Sequence, residues 1–304
     1  MLLKEKIVLG LKIATDGRYR KFFLQRAFTD MDVRMRRAAA VAARLPAFDE
    51  HNPESHAKAA SLENQGFVFV DGLIDPKWLA EMKAYFAAQV CSDPYRSHLG
   101  TFKGPDQVPA GTHVAFYSNE VVVRAPHALE IANNPKVLGI VAKALGAKPT
   151  ISSMNTWWSV PAGDGTAQHA EKFHRDVDDW KFIKLFCYLT DVDEGAGPHI
   201  FVRTSHRLNR LGAIRRYSEE EVFAAFGADN VMRFIGPAGT SFLENTYGMH
   251  RGLPPTDKPR LVFQILYSLR PLIYGPKSPV ITLRPDEISH GIDPYINRVY
   301  CRVR

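Results

Sequence analysis

The chain of 304 residues has only three cysteines, Cys91, Cys187 and Cys301, far apart and forming no Cys-x-x-Cys pair. They exclude a disulfide framework and a thiolate metal knuckle, and they fit a reducing, cytoplasmic compartment. No uncharged apolar run is long enough to span a membrane. Residues 7–14 are apolar, but Lys12 interrupts them and Glu5 sits where a secretory signal needs a basic head, so no such signal is expected. No glycine-rich loop cradles a phosphate, and no Ser-His-Asp elbow is present. There is no internal repeat and no low-complexity tract.

Acidic residues are scarce at the start. Up to Arg44 there are eleven Lys or Arg and four Asp or Glu, whereas the rest carries 28 of each sign. The whole net charge of +7 therefore lies in the first 44 residues. A basic extension on a neutral domain reads as a docking element. Leu3, Ile7 and Leu11 lie at helical spacing with Lys4, Lys6 and Lys12 beside them. Such a helix suits an anionic membrane surface, which would make the protein peripheral to the inner face of a membrane; a solvated helix packed on the domain is the plainer reading. No recognition motif accompanies the charge, so nucleic acid is not expected as a partner. The oligomeric state is left open.

With 45% hydrophobic residues, the chain holds enough material for one large core. Residues 1–55 are assigned to a basic helical extension and 56–304 to the main domain. The extension is expected to be separable from the chemistry, because its charge lies outside that domain. Thr29 or Asp30 caps a predicted helix running to about Leu45, where Pro46 stops it. Residues 46–56 are polar and read as a boundary. Residues 66–70 form a short apolar strand, Asp75-Pro76 opens a helix from Trp78 to Val90, and residues 91–113 read as a long loop over the site. Asn134-Pro135 starts another helix, which Gly146 ends. From Thr150 the apolar period becomes two, with strands predicted at 150–160, 182–190, 198–203, 231–235, 240–244, 260–269 and 280–284. A charged insertion at 207–228 carries a helix at 218–226. Helices first and strands afterwards predict an antiparallel barrel or double-sheet roll buttressed by helices.

Two stretches carry chemistry. In Phe173-His174-Arg175-Asp176, extended backbone puts His174 and Asp176 on one face, so both can reach one ion. His250 follows the strand at 240–244 and a tight turn, and Arg260 opens the next strand. Two imidazoles and one carboxylate occupy one face of a metal and leave the other open, which suits non-haem iron(II) with 2-oxoglutarate and dioxygen. By period two, Arg260, Val262 and Gln264 share one face, and a cation inside a barrel needs an anionic partner. The distal carboxylate of 2-oxoglutarate matches the guanidinium fork. Plain alternatives are a surface ion pair for His174 and Asp176 and a rim salt bridge for Arg260. Asp178 and Asp179 read as substrate contacts or solvated charges. His206 reads as a structural donor, and neither His169 nor His199 has the spacing to displace His250. A zinc hydrolase would leave Arg260 without a purpose and would want an acidic base at the open position.

Taken in order, these residues resemble the phytanoyl-CoA dioxygenase family across roughly residues 60–270. The resemblance rests on Asn64-Gln65-Gly66-Phe67-Val68-Phe69, Gly72-Leu73-Ile74-Asp75, Asn134-Pro135-Lys136-Val137, Leu145-Gly146 and Phe173-His174-Arg175-Asp176. It continues through Tyr188-Leu189-Thr190-Asp191-Val192, Gly197-Pro198, Ser205-His206, His250-Arg251-Gly252 and Pro259-Arg260. It implies an all-β, cupin-like core (a double-stranded β-helix, or jelly roll) with flanking helices. It implies iron ligands at His174, Asp176 and His250 and a 2-oxoglutarate clamp at Arg260. Thr156 is implied as a further contact to the cosubstrate and, more weakly, Lys184 as one to the cosubstrate or the substrate. Where the family often has Pro-Gly-Ser-His, this chain has Arg203-Thr204-Ser205-His206. The expected function is hydroxylation of an unactivated C–H of a small-molecule metabolite. Desaturation, cyclisation and halogenation are other outcomes of the same site, and a non-catalytic jelly-roll metal-binding protein is the alternative from a different class. Trp157, Trp158, Trp180 and Tyr247 are the aromatics expected near the site, and they suit an apolar or a sugar-like ligand equally.

Overall fold

The computed structural model describes residues 3–49, 52–163, 167–284 and 291–303, with side chains described within 8–302. It opens with three helices, α1 (Leu3–Thr15), α2 (Gly17–Arg26) and α3 (Met31–Ala42). Asp30, not Thr29, caps α3 by accepting from Val33 N, and the helix ends three residues short of Leu45. The side chains of Leu3, Lys4, Lys6 and Ile7 lie outside those described.

Helix α4 (Pro53–Gln65) occupies part of the stretch read as a boundary. Its signals are local, with Asn52 capping Glu54 N and Pro53 at the first helical position. Its inward stripe is Ser55, Ala59 and Leu62, small enough to pass for linker composition. Strand β1 (Phe67–Phe69) and α5 (Pro76–Ala88) come next. Strand β2 (Val114–Phe116), α6 (Asn119–Val123), α7 (Ala128–Ala132) and α8 (Pro135–Leu145) lead into β3 (Thr150–Ser159). The rest is mainly strand: β4 (Phe182–Tyr188), β5 (His199–Val202), β6 (Val231–Phe234), β7 (Ser241–Glu244), β8 (His250–Gly252), β9 (Arg260–Ser268), β10 (Ile281–Leu283) and β11 (Cys301–Val303). Helix α9 (Glu219–Phe226) interrupts them, with Ser218 and Glu221 forming a reciprocal capping box.

Six strands pair in the order β1-β7-β4-β9-β3-β2, and three in the order β6-β5-β8. His174 extends the smaller sheet through a bridge to His250, each residue's N–H donating to the other's carbonyl at 2.9 and 3.0 Å. The two antiparallel sheets make the double-stranded β-helix. Period two sorts the large sheet's residues. Leu261, Phe263 and Ile265 face helices including α4 and α8, while Phe186, Tyr188, Phe242 and Val262 meet Phe201 and Phe234 of the smaller sheet. The strands β2, β8 and β11 have three residues each, too short to show a period. Among the described residues no helix is long and apolar enough to cross a membrane.

Gly66 ends α4 at φ +93°, and a Cβ there would stand 2.5 Å from the Phe201 ring and 2.7 Å from His206 Nδ1. Both the left-handed backbone and the close approach require glycine. Gly66→Ala is expected to lower stability by about 2–4 kcal/mol, a loss that denaturant unfolding reads directly; an unchanged midpoint would contradict this packing.

Candidate metal and cosubstrate site

His174 lies on the edge of the smaller sheet, and Asp176 follows two residues on in extended chain whose N–H donates to Thr246 O at 2.9 Å. His250 opens β8 beside them. One ligand atom from each of the three lies within 4.8 Å of the others. His174 donates from Nδ1 to Lys172 O and His250 from Nδ1 to Gly248 O, both at 2.9 Å. In a neutral ring those bonds leave the lone pair on Nε2. Burial opposes the charged form of His250, but the Asp176 carboxylate outweighs it and raises His250 above its ordinary value. The Nε2 atoms stand 3.5 and 3.4 Å from the two Asp176 carboxylate oxygens. Burial holds His174 neutral, down at about 4. Burial alone would raise Asp176, but the Lys184 ammonium and His250 overturn that and hold it well below the ordinary carboxylate range. Two neutral donors and one anion suit a divalent metal.

The cavity beside this cluster is also lined by Phe116, Trp157, Ser159, Leu253, Arg260 and Gln264. Arg260 is 4% exposed. Its Nη2 reaches Ser159 Oγ at 3.3 Å, while Nε and Nη1 meet no acceptor. No carboxylate of the described residues pairs with it, so the rim salt bridge is not what this structure shows. Burial pulls the guanidinium below its ordinary value, opposed by Tyr188. A buried fork with two idle donors is what a carboxylate would satisfy. Gly252 leaves room there, since a Cβ would stand 3.1 Å from Nη2.

The phytanoyl-CoA dioxygenase model matches residues 62–260, more than half of the chain. The chain belongs to the phytanoyl-CoA dioxygenase family. It is therefore an oxygenase of the iron- and 2-oxoglutarate-dependent class, and the cluster and Arg260 both lie within the matched span. None of the curated proteins compared matches it. Among solved structures it is similar to EctD from S. alaskensis with bound Fe, at 15% identity and a TM-score of 0.52, covering 86% of this chain and 94% of that one. It is also similar to HygX from Streptomyces hygroscopicus with nickel and 2-oxoglutarate bound, at 13% identity and a TM-score of 0.50, covering 75% and 90%. These likenesses show the fold.

Not every residue that the family resemblance implied reaches the cavity. Thr156 does not, because Asn155, Trp157 and Ser159 share the inner face with Gln264, Val262 and Arg260, whereas Thr156 lies opposite Phe263 on the outer face. Its hydroxyl is buried and unpaired. Lys184 lines the cavity, but its ammonium is committed to Asp176 at 2.6 Å and Asp178 at 3.0 Å, which leaves it a weak cosubstrate contact. Asp178 and Asp179 are buried and do not line the cavity. Asp178 accepts from the Tyr274 hydroxyl, and burial pushes Asp179 up to about 6. Of the four expected aromatics only Trp157 lines the cavity, stacked with Phe116 at 5.3 Å. Trp158 turns to the other face and donates to Tyr117. His206 donates to Glu63 O at 2.9 Å, a structural contact as expected.

Three features were not anticipated. His113, on the long loop, stands 2.9 Å from Glu171 at the cavity wall, and Tyr95 stacks on His169 at 3.7 Å. His199 Nε2 lies 2.8 Å from Glu244, whose carboxyl burial pushes up to about 8. Period two could have placed Ser159 with Arg260; the other pairs join distant loops and strands and leave no local signal.

His174→Ala or His250→Ala is expected to abolish binding of one equivalent of divalent metal at sub-millimolar concentration while leaving the fold intact. Calorimetric titration checks it, and full-affinity binding by either variant would remove that residue from the ligand set.

Proposed function

We propose that the protein hydroxylates an unactivated C–H bond of a small molecule, with His174, Asp176 and His250 holding iron(II) and Arg260 binding the distal carboxylate of 2-oxoglutarate. One observation carries this reading: two imidazole Nε2 atoms and a carboxylate converge beside a cavity whose wall holds a buried arginine with idle donors. When bound, iron(II) and 2-oxoglutarate supply oxidising power from dioxygen, with succinate and carbon dioxide released. The chain's own residues do the rest. The Lys172 and Gly248 carbonyls accept from both Nδ1 atoms and so aim the Nε2 atoms toward the metal. Lys184 keeps Asp176 ionised. Arg260 orients the cosubstrate, and Phe116, Trp157 and Leu253 offer an apolar wall to the substrate. Asp176 fills the position a halide would need, which favours hydroxylation over halogenation.

With substrate, succinate should form in step with dioxygen uptake, and the product should be heavier by one oxygen atom even with chloride present. Arg260→Lys should raise the 2-oxoglutarate requirement by about 10- to 1000-fold, since an ammonium cannot copy the fork, with metal affinity nearly unchanged. A chlorinated product, or unchanged 2-oxoglutarate dependence, would count against these roles.

A second reading concerns the extension, whose outer surface favours an anionic bilayer. Among the described residues, half of the exposed large apolar side chains, Val8, Leu11, Phe23, Leu24, Phe28 and Met35, lie in it. Exposed Lys12, Arg20 and Lys21 stand among them, while Asp16 is already paired with Arg18. Apolar side chains ringed by cations suit a headgroup boundary. The full chain is expected to co-sediment with anionic but not zwitterionic vesicles, less so as salt rises, and Leu11→Glu with Leu24→Glu should abolish it. Salt-independent association, or none, would remove the membrane reading.

A further inference from the structure

The segment bearing Asp176 is gripped from outside the family-matched span. Gln25, on the buried face of α2, donates from Nε2 to Val177 O at 2.6 Å, and Arg26 Nη1 reaches the same carbonyl at 3.3 Å. Arg34, 1% exposed on α3, donates from Nη2 to Asp179 O and to Gln25 Oε1, and from Nη1 to Gln25 O and Phe28 O. Its guanidinium lies 4.4 Å from the Tyr247 ring centroid, and Arg175 stands 5.2 Å from the same ring. The Tyr247 hydroxyl donates to Thr29 O at 2.7 Å. The extension thus touches both chain segments that carry the cluster, one and three residues after Asp176 and three before His250.

We infer that Gln25 and Arg34 are positioning residues for the metal site: by holding the carbonyls of Val177 and Asp179 they set where the Asp176 carboxylate stands. This rests on His174, Asp176 and His250 being the metal ligands. The backbone at 174–179 is not inside a regular strand, and its ladder is limited to the His174 bridge and the Asp176-to-Thr246 bond. Its remaining restraints come from side chains: Arg175 of the segment donates to the carbonyls of Leu208, Arg210, Leu211 and Tyr247, Lys184 holds Asp176 and Asp178, and Gln25 and Arg34 hold the carbonyls of Val177 and Asp179. Three of the four acceptors of Arg34 belong to the extension itself and the fourth is Asp179 O, so displacing the Asp179 segment leaves a buried, charged donor short of a partner. A shift of ligand position by about an ångström is enough to cost a site its function. The extension is consequently part of the site's support, not a separable appendage, although the family model begins only at residue 62.

Cobalt(II) is the probe, read in the full chain by its ligand-field absorption and its dissociation constant. Arg34→Met and Gln25→Leu remove the donors at similar volume. Leu283→Ala, a core truncation in β10, is the control for plain destabilisation. The expected result is that both variants keep the wild-type far-ultraviolet dichroism, bind cobalt(II) at least tenfold more weakly and shift its absorption bands, while Leu283→Ala lowers Tm and leaves affinity and bands alone. If Arg34→Met does not fold, Gln25→Leu alone decides, because it deletes only the two bonds of the Gln25 amide, to Val177 O and from Arg34, and removes no charge. Wild-type affinity and bands in a folded Gln25→Leu chain would overturn the inference. Failure of the wild-type chain itself to bind cobalt(II) would instead overturn the ligand assignment, and the inference with it.

Discussion

A half-buried carboxylate set between an ammonium and two imidazoles is the constraint on which the site depends. Burial disfavours the Asp176 anion, because part of its hydration is lost. Lys184 offsets that cost, and Lys184 is in turn shared with Asp178, whose other oxygen accepts from Tyr274. The groups come from different places: the carboxylates from a loop after the His174 bridge, the ammonium from the middle of β4, and the neutral Tyr274 hydroxyl from the segment beyond β9. Removing any one leaves another uncompensated, so the loop, the strand and the segment are tied together. The same arrangement readies Asp176 as an anion, while its carboxylate outweighs burial and raises His250, so that a metal binding there displaces the proton His250 takes up.

The two sheets divide the work. The large sheet buries its outer face against helices through Leu261, Phe263 and Ile265, which gives β9 a rigid setting. Its inner face holds Arg260 and Gln264 at the cavity, in register with Ser159 and Asn155 of β3. The smaller sheet contributes His250 through β8 and His174 through the bridge beside it. A ligand spanning the cavity would therefore touch both sheets, and its grip on one end is separable from its grip on the other. The guanidinium with idle donors and the imidazoles with idle lone pairs are complementary to different ends of one dianionic cosubstrate and metal pair.

The extension shows how charge can mislead. Its cations suggest a freely solvated element, and most do face solvent. Arg34 does not. It is buried against Tyr247 and carbonyl oxygens, where its planar fork meets several acceptors at once. A count of Lys and Arg cannot distinguish such a residue from its exposed neighbours Arg36 and Arg37, because what differs is the partner surface supplied by residues some 145 to 215 positions away.

The sequence alone determined the class of fold, the three ligand candidates and Arg260. Each of these rests on a local rule: the period of a strand, the two-residue spacing of His174 and Asp176, and a cation placed on a strand face. The three-residue strands β2, β8 and β11, and α4 with its small inward stripe, escaped because too few large side chains were available to show a period. Tertiary structure decided which groups meet. It turned Thr156 away by one step of the β3 register, committed Lys184 to Asp176 and Asp178, set Glu244 against His199, and docked Gln25 and Arg34 behind the ligand segment. All of these are contacts between residues far apart in the chain, and their partners are chosen by strand register and helix docking, which depend on how the whole core packs.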